Sequence, residues 1–285
     1  MSLNDNISYK IAMKQKVSSS IFTERAKSVS PVNLSKAKRN FLLIDTETIG
    51  DITKGEKVFP YDISFINIKQ KEITYKKCYI NENIFDNEYL MNNAFYKNKI
   101  PFYKKMLKSN MDYEKTNDLE ILSKLNDFIR DNKISYFLAY NVKFDYNSIN
   151  NLFESKKVRN HFKKLRVVDI WKIVDTMFQI FPNLYKHYVK FCLANNYITE
   201  SGKCIKSSAE SVNRWINQDK EFIENHTGLE DTFCEFNILL KLLWYYEKTT
   251  KQDFYYKLDT IHNPNGTCFK NGIYTLDYIK SLKLA

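Results

Sequence analysis

Glycine and proline are scarce in this chain, with six and five residues in 285. That leaves no room for a long low-complexity linker, and no internal repeat is visible. Apolar runs are short as well. None reaches eighteen residues, so a membrane-spanning helix is not expected. The opening residues, MSLNDNISYKIAMKQKV, lack the apolar block of a secretory signal, and a cytoplasmic location is the resulting expectation. The five cysteines are an odd number without CxxC spacing. They read as free thiols in a reducing compartment, which excludes a disulfide framework and a zinc knuckle.

What is present is an ordinary globular balance, 44% hydrophobic and 27% charged. The length suits one α/β domain with appendages, or two small domains. A net charge of +11 is concentrated at one end: residues 1–40 hold eight Lys or Arg against two acids. Residues 1–39, polar and broken by Pro31, read as a basic arm, either a nucleic-acid contact or a solvated extension.

From residue 40 the pattern changes. NFLLID is a short apolar run with the look of a buried strand. YDISFINIKQ (61–70) alternates, with Ile63, Phe65 and Ile68 as the inward set, and ITYKKCYI (73–80) is a third strand, giving an antiparallel meander over 41–80. Leu119, Leu122, Leu125 and Ile129 sit at helical spacing within 117–130, with Asn117 or Asp118 as the cap. SYFLAY (135–140) is the next strand, then a helix from about 145 to 156, then a fifth strand at 166–170. Helical patterns fill 170–179, 183–195 and 207–217. The last strong helix, 228–247, shows an apolar face of Leu229, Phe233, Phe236, Leu240, Leu243 and Trp244. Residues 249–285 form an aromatic, basic extension with a turn at NPNG. The body predicts one domain with a mixed five-stranded sheet flanked by helices.

Five residues in this frame carry chemistry: Asp45, Glu47, Asp145, His226 and Asp231. Asp45 and Glu47 stand two apart at a strand end, so both carboxylates share a face, and like charges so close repel unless a cation sits between them. Asp145 follows the segment AYNVKF, and His226 precedes Asp231 by five. Each has an ordinary structural reading when taken singly. The first pair can open a turn, Asp145 can cap a helix, His226 can be a surface loop residue, and Asp231 can be a first-turn charge. Asp62 and Asp169 read as structural acids. As an ordered set, however, oxygen ligands with few nearby cysteines suit two Mg²⁺ or Mn²⁺ ions. A histidine can take a proton from water near neutral pH. That combination fits phosphodiester hydrolysis.

The motifs DTETIG, AYNVKFD and HTGLED resemble those of the DEDDh 3′–5′ exonucleases, the DnaQ-like branch of the RNase H-like fold, over residues 40–248. FPYDISFINI, SSAESVNRWI and ENHTGLED look most like exonuclease-domain proteins of phages and mobile elements. The resemblance implies three antiparallel strands followed by two parallel ones. The 81 positions from Asp145 to His226 leave room for a helical insert at about 180–220. Asp45, Glu47 and Asp231 would ligate one metal ion, Asp45 would bridge to a second, and Asp145 would help hold that ion, partly through water. His226 would deprotonate the attacking water. Thr48, Ile49, Asn141 and Phe144 would meet the terminal nucleotide, with Ile49 or Phe144 beneath its base. The implied substrate is a single-stranded DNA 3′ end, with RNA as the alternative, beside a replication or polymerase partner and with no membrane. A nucleic-acid-binding or host-interaction protein on the same scaffold is the rival from another class.

Overall fold

A computed structural model describes residues 40–50, 54, 56–252 and 273–282. The basic arm at 1–39 and the turn at 263–266 lie outside them. Six strands form one sheet in the order β4-β3-β2-β1-β5-β6. β1 (Asn40–Ile49), β2 (Phe59–Lys69) and β3 (Glu72–Asn81) are antiparallel neighbours, while β5 (Ile134–Ala139) and β6 (Arg166–Asp169) run parallel to β1. This is the RNase H-like order expected above, with one strand more. β4 (Tyr113–Thr116) is added parallel to β3 at the sheet edge, so five strands is corrected to six. Its sequence, YEKT, has no apolar run, and edge strands of this short, charged kind give little periodic signal.

The helices, in chain order, are α1 (Glu82–Phe85), α2 (Glu88–Met91), α3 (Ile100–Ser109), α4 (Asp118–Asp131), α5 (Lys143–Lys156), α6 (Ile170–Ile180), α7 (Pro182–Ala194), α8 (Ala209–Asn217), α9 (Gly228–Thr250) and α10 (Leu276–Ser281). Two apolar layers sandwich the sheet. One face, with Leu42, Ile44, Ile63, Phe65 and Phe137, packs against α4 and α5. The other, with Phe41, Leu43, Ile66, Ile68, Tyr136 and Leu138, packs against α6–α9. β2 is therefore buried on both sides. Ile68, expected beside Ile63 and Phe65, faces the opposite layer with Ile66, because strand side chains alternate and positions 63 and 68 differ by an odd number of residues. Each large side chain so buried contributes roughly 1.5–3 kcal/mol.

Local rules explain most boundaries. The Asn117 side chain caps α4 by accepting the Glu120 N–H at 2.9 Å. Leu119, placed on the inner face by spacing, is 54% exposed, and Ile121 takes its place. On α9 the buried face includes Leu229, Phe236 and Leu243 as expected but is wider. Trp244 is 42% exposed, whereas Ile238, Leu239, Leu242, Tyr245 and Tyr246 are buried. This helix lies between the sheet and α6 and α8, so it is covered over more than one stripe. Among α6–α8, Phe178, Tyr188 and Trp215 form an aromatic knot, and the backbone of residues 273–276 bonds to 203–205. Among the described residues no helix is long and apolar enough to cross a membrane.

Candidate metal centre

The site forms where the C-terminal end of β1, the loop after β5 and the N-terminus of α9 meet. Strand alternation turns Asp45 and Glu47 the same way. Opposite them, in the antiparallel register, stand Ser64 and Asp62. The ladder skips Tyr61 between the Glu47–Asp62 and Thr48–Pro60 pairs, a bulge that swings the strand end away. Gly50 then turns the chain at φ +97°, where an added Cβ would lie 2.8 Å from the Lys57 carbonyl oxygen.

One carboxylate oxygen from each of Asp45, Glu47 and Asp231 lies within 4.8 Å of the other two. Asp231 comes from the first turn of α9, where its N–H bonds to the Thr227 carbonyl at 3.0 Å. Asp145 stands outside this trio. It sits in the first turn of α5 and does not cap it: Val142 occupies that position. Its Oδ1 instead accepts the Thr46 N–H and the Thr46 hydroxyl, both at 2.9 Å, and Ser148 Oγ lies 3.0 Å from the same hydroxyl. Asp145 thus reaches back to the strand carrying Asp45 and Glu47, and one of its oxygens is committed there.

The electrostatics of the cluster are unbalanced. Burial raises Asp45 well above the usual carboxylate range, and the charges of Asp145, Asp231, Glu235 and Glu47 add to the effect. Glu47 is raised by burial, then by Asp231, Asp62 and Asp145. Burial lifts Asp145 to about 7 against the opposing Thr46 hydrogen bonds. Asp231 rises to about 9 through burial and the charges of Glu224, Glu230 and Asp62. Oxygen donors this close and this desolvated fit a hard divalent cation, whose charge would return all of them to the ionised form.

His226 is half-buried at φ +51°, in the loop before α9. Its ring is held rather than loose at the surface, stacking on Tyr96 at 4.2 Å between centroids and 8° between planes. Its Nδ1 is 4.0 Å from a Glu224 carboxylate oxygen. Burial lowers its pKa, with Glu210 and Lys99 acting in opposite directions, so the ring is neutral at physiological pH. Of the other expected contacts, Thr48 and Phe144 are half-buried and Asn141 is exposed. Asn141 adopts φ +59° and gives its N–H to Asp169 Oδ1 at 3.1 Å. Ile49 is 8% exposed within the core, and pairs with Ala94 through an isolated bridge.

Three residues at the site, Glu235, Glu224 and Tyr96, were not foreseen. Glu235 lies one helical turn beyond Asp231, which i, i+4 spacing could have flagged. It is buried and accepts the Tyr140 N–H at 3.0 Å. Glu224, two before His226, is raised to about 7 by burial and by Glu210. Tyr96 has no sequence signal, as it arrives from the segment between β3 and β4. Asp62, read as structural, is a structural hub. It accepts the Ser64 hydroxyl and the Tyr103 hydroxyl at 2.6 Å each, and the Gly228 N–H at 3.1 Å. Asp169 caps α6 through the Trp171 N–H at 2.9 Å.

No family profile matches the sequence, and neither does any curated protein sequence. Solved structures do. A 3′-exonuclease in a structure of 3′-end-specific recognition of the histone mRNA stem-loop shares 9% identity at TM-score 0.48, over 86% of this chain and 71% of that one. Escherichia coli exonuclease I is similar in a zinc-bound complex with single-stranded DNA (13% identity, TM-score 0.44, 72% of this chain). It is similar again in a structure bearing on its processivity (14%, TM-score 0.45, 74% of this chain). The chain spans 40–43% of the length of exonuclease I. With identities this low and TM-scores under 0.5, the site is left to be read from its own geometry.

Proposed function

We propose that the chain is a 3′–5′ exonuclease of the DEDDh type, which hydrolyses phosphodiester bonds and releases nucleoside 5′-monophosphates from single-stranded DNA ends. The observation that carries this reading is the convergence of Asp45, Glu47 and Asp231 from two distant segments, with His226 opening the helix that supplies Asp231. Asp45, Glu47 and Asp231 would hold one Mg²⁺ or Mn²⁺, and Asp45 with Asp145 the second. When bound, such ions stabilise the charge developing on the phosphate and lower the pKa of water. His226, kept neutral by burial, accepts the proton that the attacking water gives up. Tyr96 fixes the plane of its ring. Thr48 and Phe144, half-buried beside the acids, are the groups in reach of a terminal nucleotide, and Ile49 backs Thr48 from the core.

The test is a 5′-labelled single-stranded DNA, with RNA of the same sequence beside it, in Mg²⁺ or Mn²⁺. A ladder shortening from the 3′ end is expected with the wild type. Loss of each of Asp45→Ala and His226→Ala should abolish it or cut it by roughly 10²-fold or more. Asp45→Ala as active as wild type would sink the proposal. Faster loss of the RNA would move the substrate to RNA, and tight binding without any cleavage would favour the binding-protein reading.

A further inference from the structure

The segment between β3 and β4 takes no part in holding the acids, yet it is tied to the site at three points. Ala94 bridges to Ile49 at the end of β1. Tyr96 stacks on His226, and its phenol is pushed up by burial and then by Glu47, Glu224, Asp231 and Asp45, so it faces the carboxylates. Tyr103 donates to Asp62. The composition of the segment is one-sided. From Asn92 to Ser109 it holds Lys97, Lys99, Lys104, Lys105 and Lys108 and not one acid. All but Lys99 are exposed, and among the described residues none of the five forms an ion pair. An acidic centre flanked by an acid-free, lysine-rich strip gives a polyanion a place to lie without facing the carboxylates along its length.

The strip also carries an unsatisfied ring. Phe95 is 84% exposed although its neighbours on both sides are held, and its ring meets Tyr96 edge-on at 4.8 Å. A large apolar ring fixed in solvent beside lysines matches the recurring form of single-strand binding, in which bases stack on aromatics while cations track the phosphates. Chain solvation alone accounts for lysines, but not for a phenylalanine placed two ring contacts from His226.

Resting on the exonuclease reading above, we infer that residues 92–109 form the strand-holding surface of the enzyme. An unpaired base stacks on Phe95, and Lys97, Lys104 and Lys105 contact the phosphates upstream of the cleaved bond. The partner is therefore single-stranded nucleic acid rather than a duplex, whose bases are already stacked.

Fluorescence anisotropy on the full chain tests this, using a labelled oligo(dT) whose 3′ linkages are phosphorothioates that resist hydrolysis. Phe95→Ala should weaken binding by roughly five- to a hundredfold. Replacing Lys97, Lys104 and Lys105 by Gln should flatten the plot of log Kd against log salt by about 0.7 for each lysine that touches a phosphate. Lys133→Gln, at the other end of β5, should change neither, and all variants should keep the wild-type melting temperature. Affinity within twofold of wild type for Phe95→Ala, or an unchanged salt slope in the lysine variant, overturns the inference. So does an equal loss on duplex DNA. Because the readout is binding, the surface can fail while the enzyme still degrades DNA, and hold even if it does not.

Discussion

Raising the pH should destabilise the metal-free protein, because its buried acids hold protons that the unfolded chain gives up. Asp145 moves from 3.8 in the unfolded reference to about 7 in the fold. Its contribution is fully present below pH 3.8 and is lost as pH rises through 7, since the native state then binds the extra proton. Three units at 1.36 kcal/mol each amount to about 4 kcal/mol. For a domain of this size that is a fall of roughly 8–16 °C in Tm between pH 4 and 7. Asp231, raised to about 9, extends the decline into the alkaline range. Mn²⁺ should reverse it, since a cation binds the deprotonated form. At a hundredfold excess over Kd the gain is about 2.7 kcal/mol, larger at pH 8 than at pH 5. Differential scanning fluorimetry across pH, with EDTA or Mn²⁺, reads all of this. A flat metal-free profile, an Asp145→Asn variant with the wild-type slope, or a Mn²⁺ gain equal at pH 5 and 8 would refute the reasoning.

Gly228→Ala should cost about 1–3 kcal/mol in urea unfolding, since its Cβ would stand 2.8 Å from Ser64 Cβ and Oγ and 2.9 Å from Asp62 Oδ1. Adding Ser64→Gly should recover part of that loss, and no recovery would disprove the steric account. Tyr96→Ala should lower turnover by roughly two- to tenfold, the worth of one ring pair. It should also move the acidic limb of the pH–rate profile up, as His226 regains solvent. Tyr96→Phe should retain the profile, and identical profiles for Ala and wild type would remove Tyr96 from the positioning of His226.

The sheet was legible because its middle strands are apolar runs that no other element could use. Four of the five site residues announced themselves through spacing to a strand or helix edge. Three kinds of information were not in the pattern. β4 is short and charged and α1 and α2 are single turns, so the whole of 82–116 went unread, amphipathic α3 included. The extra buried width of α9 depends on having neighbours on more than one side. Asp145 satisfied the rule for a helix cap, but its carboxylate is claimed by Thr46 across 99 positions of sequence, and local propensity gives no sign of a partner so distant.

The hydrogen bond from Gly228 to Asp62 has a mechanical consequence. It ties the start of α9 to β2 directly across from Glu47, so His226 and the three clustered acids ride on one rigid wall. The segment between β3 and β4 is fastened to the same point, since Tyr103 gives its hydroxyl to the same Asp62 at 2.6 Å. One buried carboxyl therefore pins two separate pieces of chain to β2, and a change at Asp62 would loosen both at once.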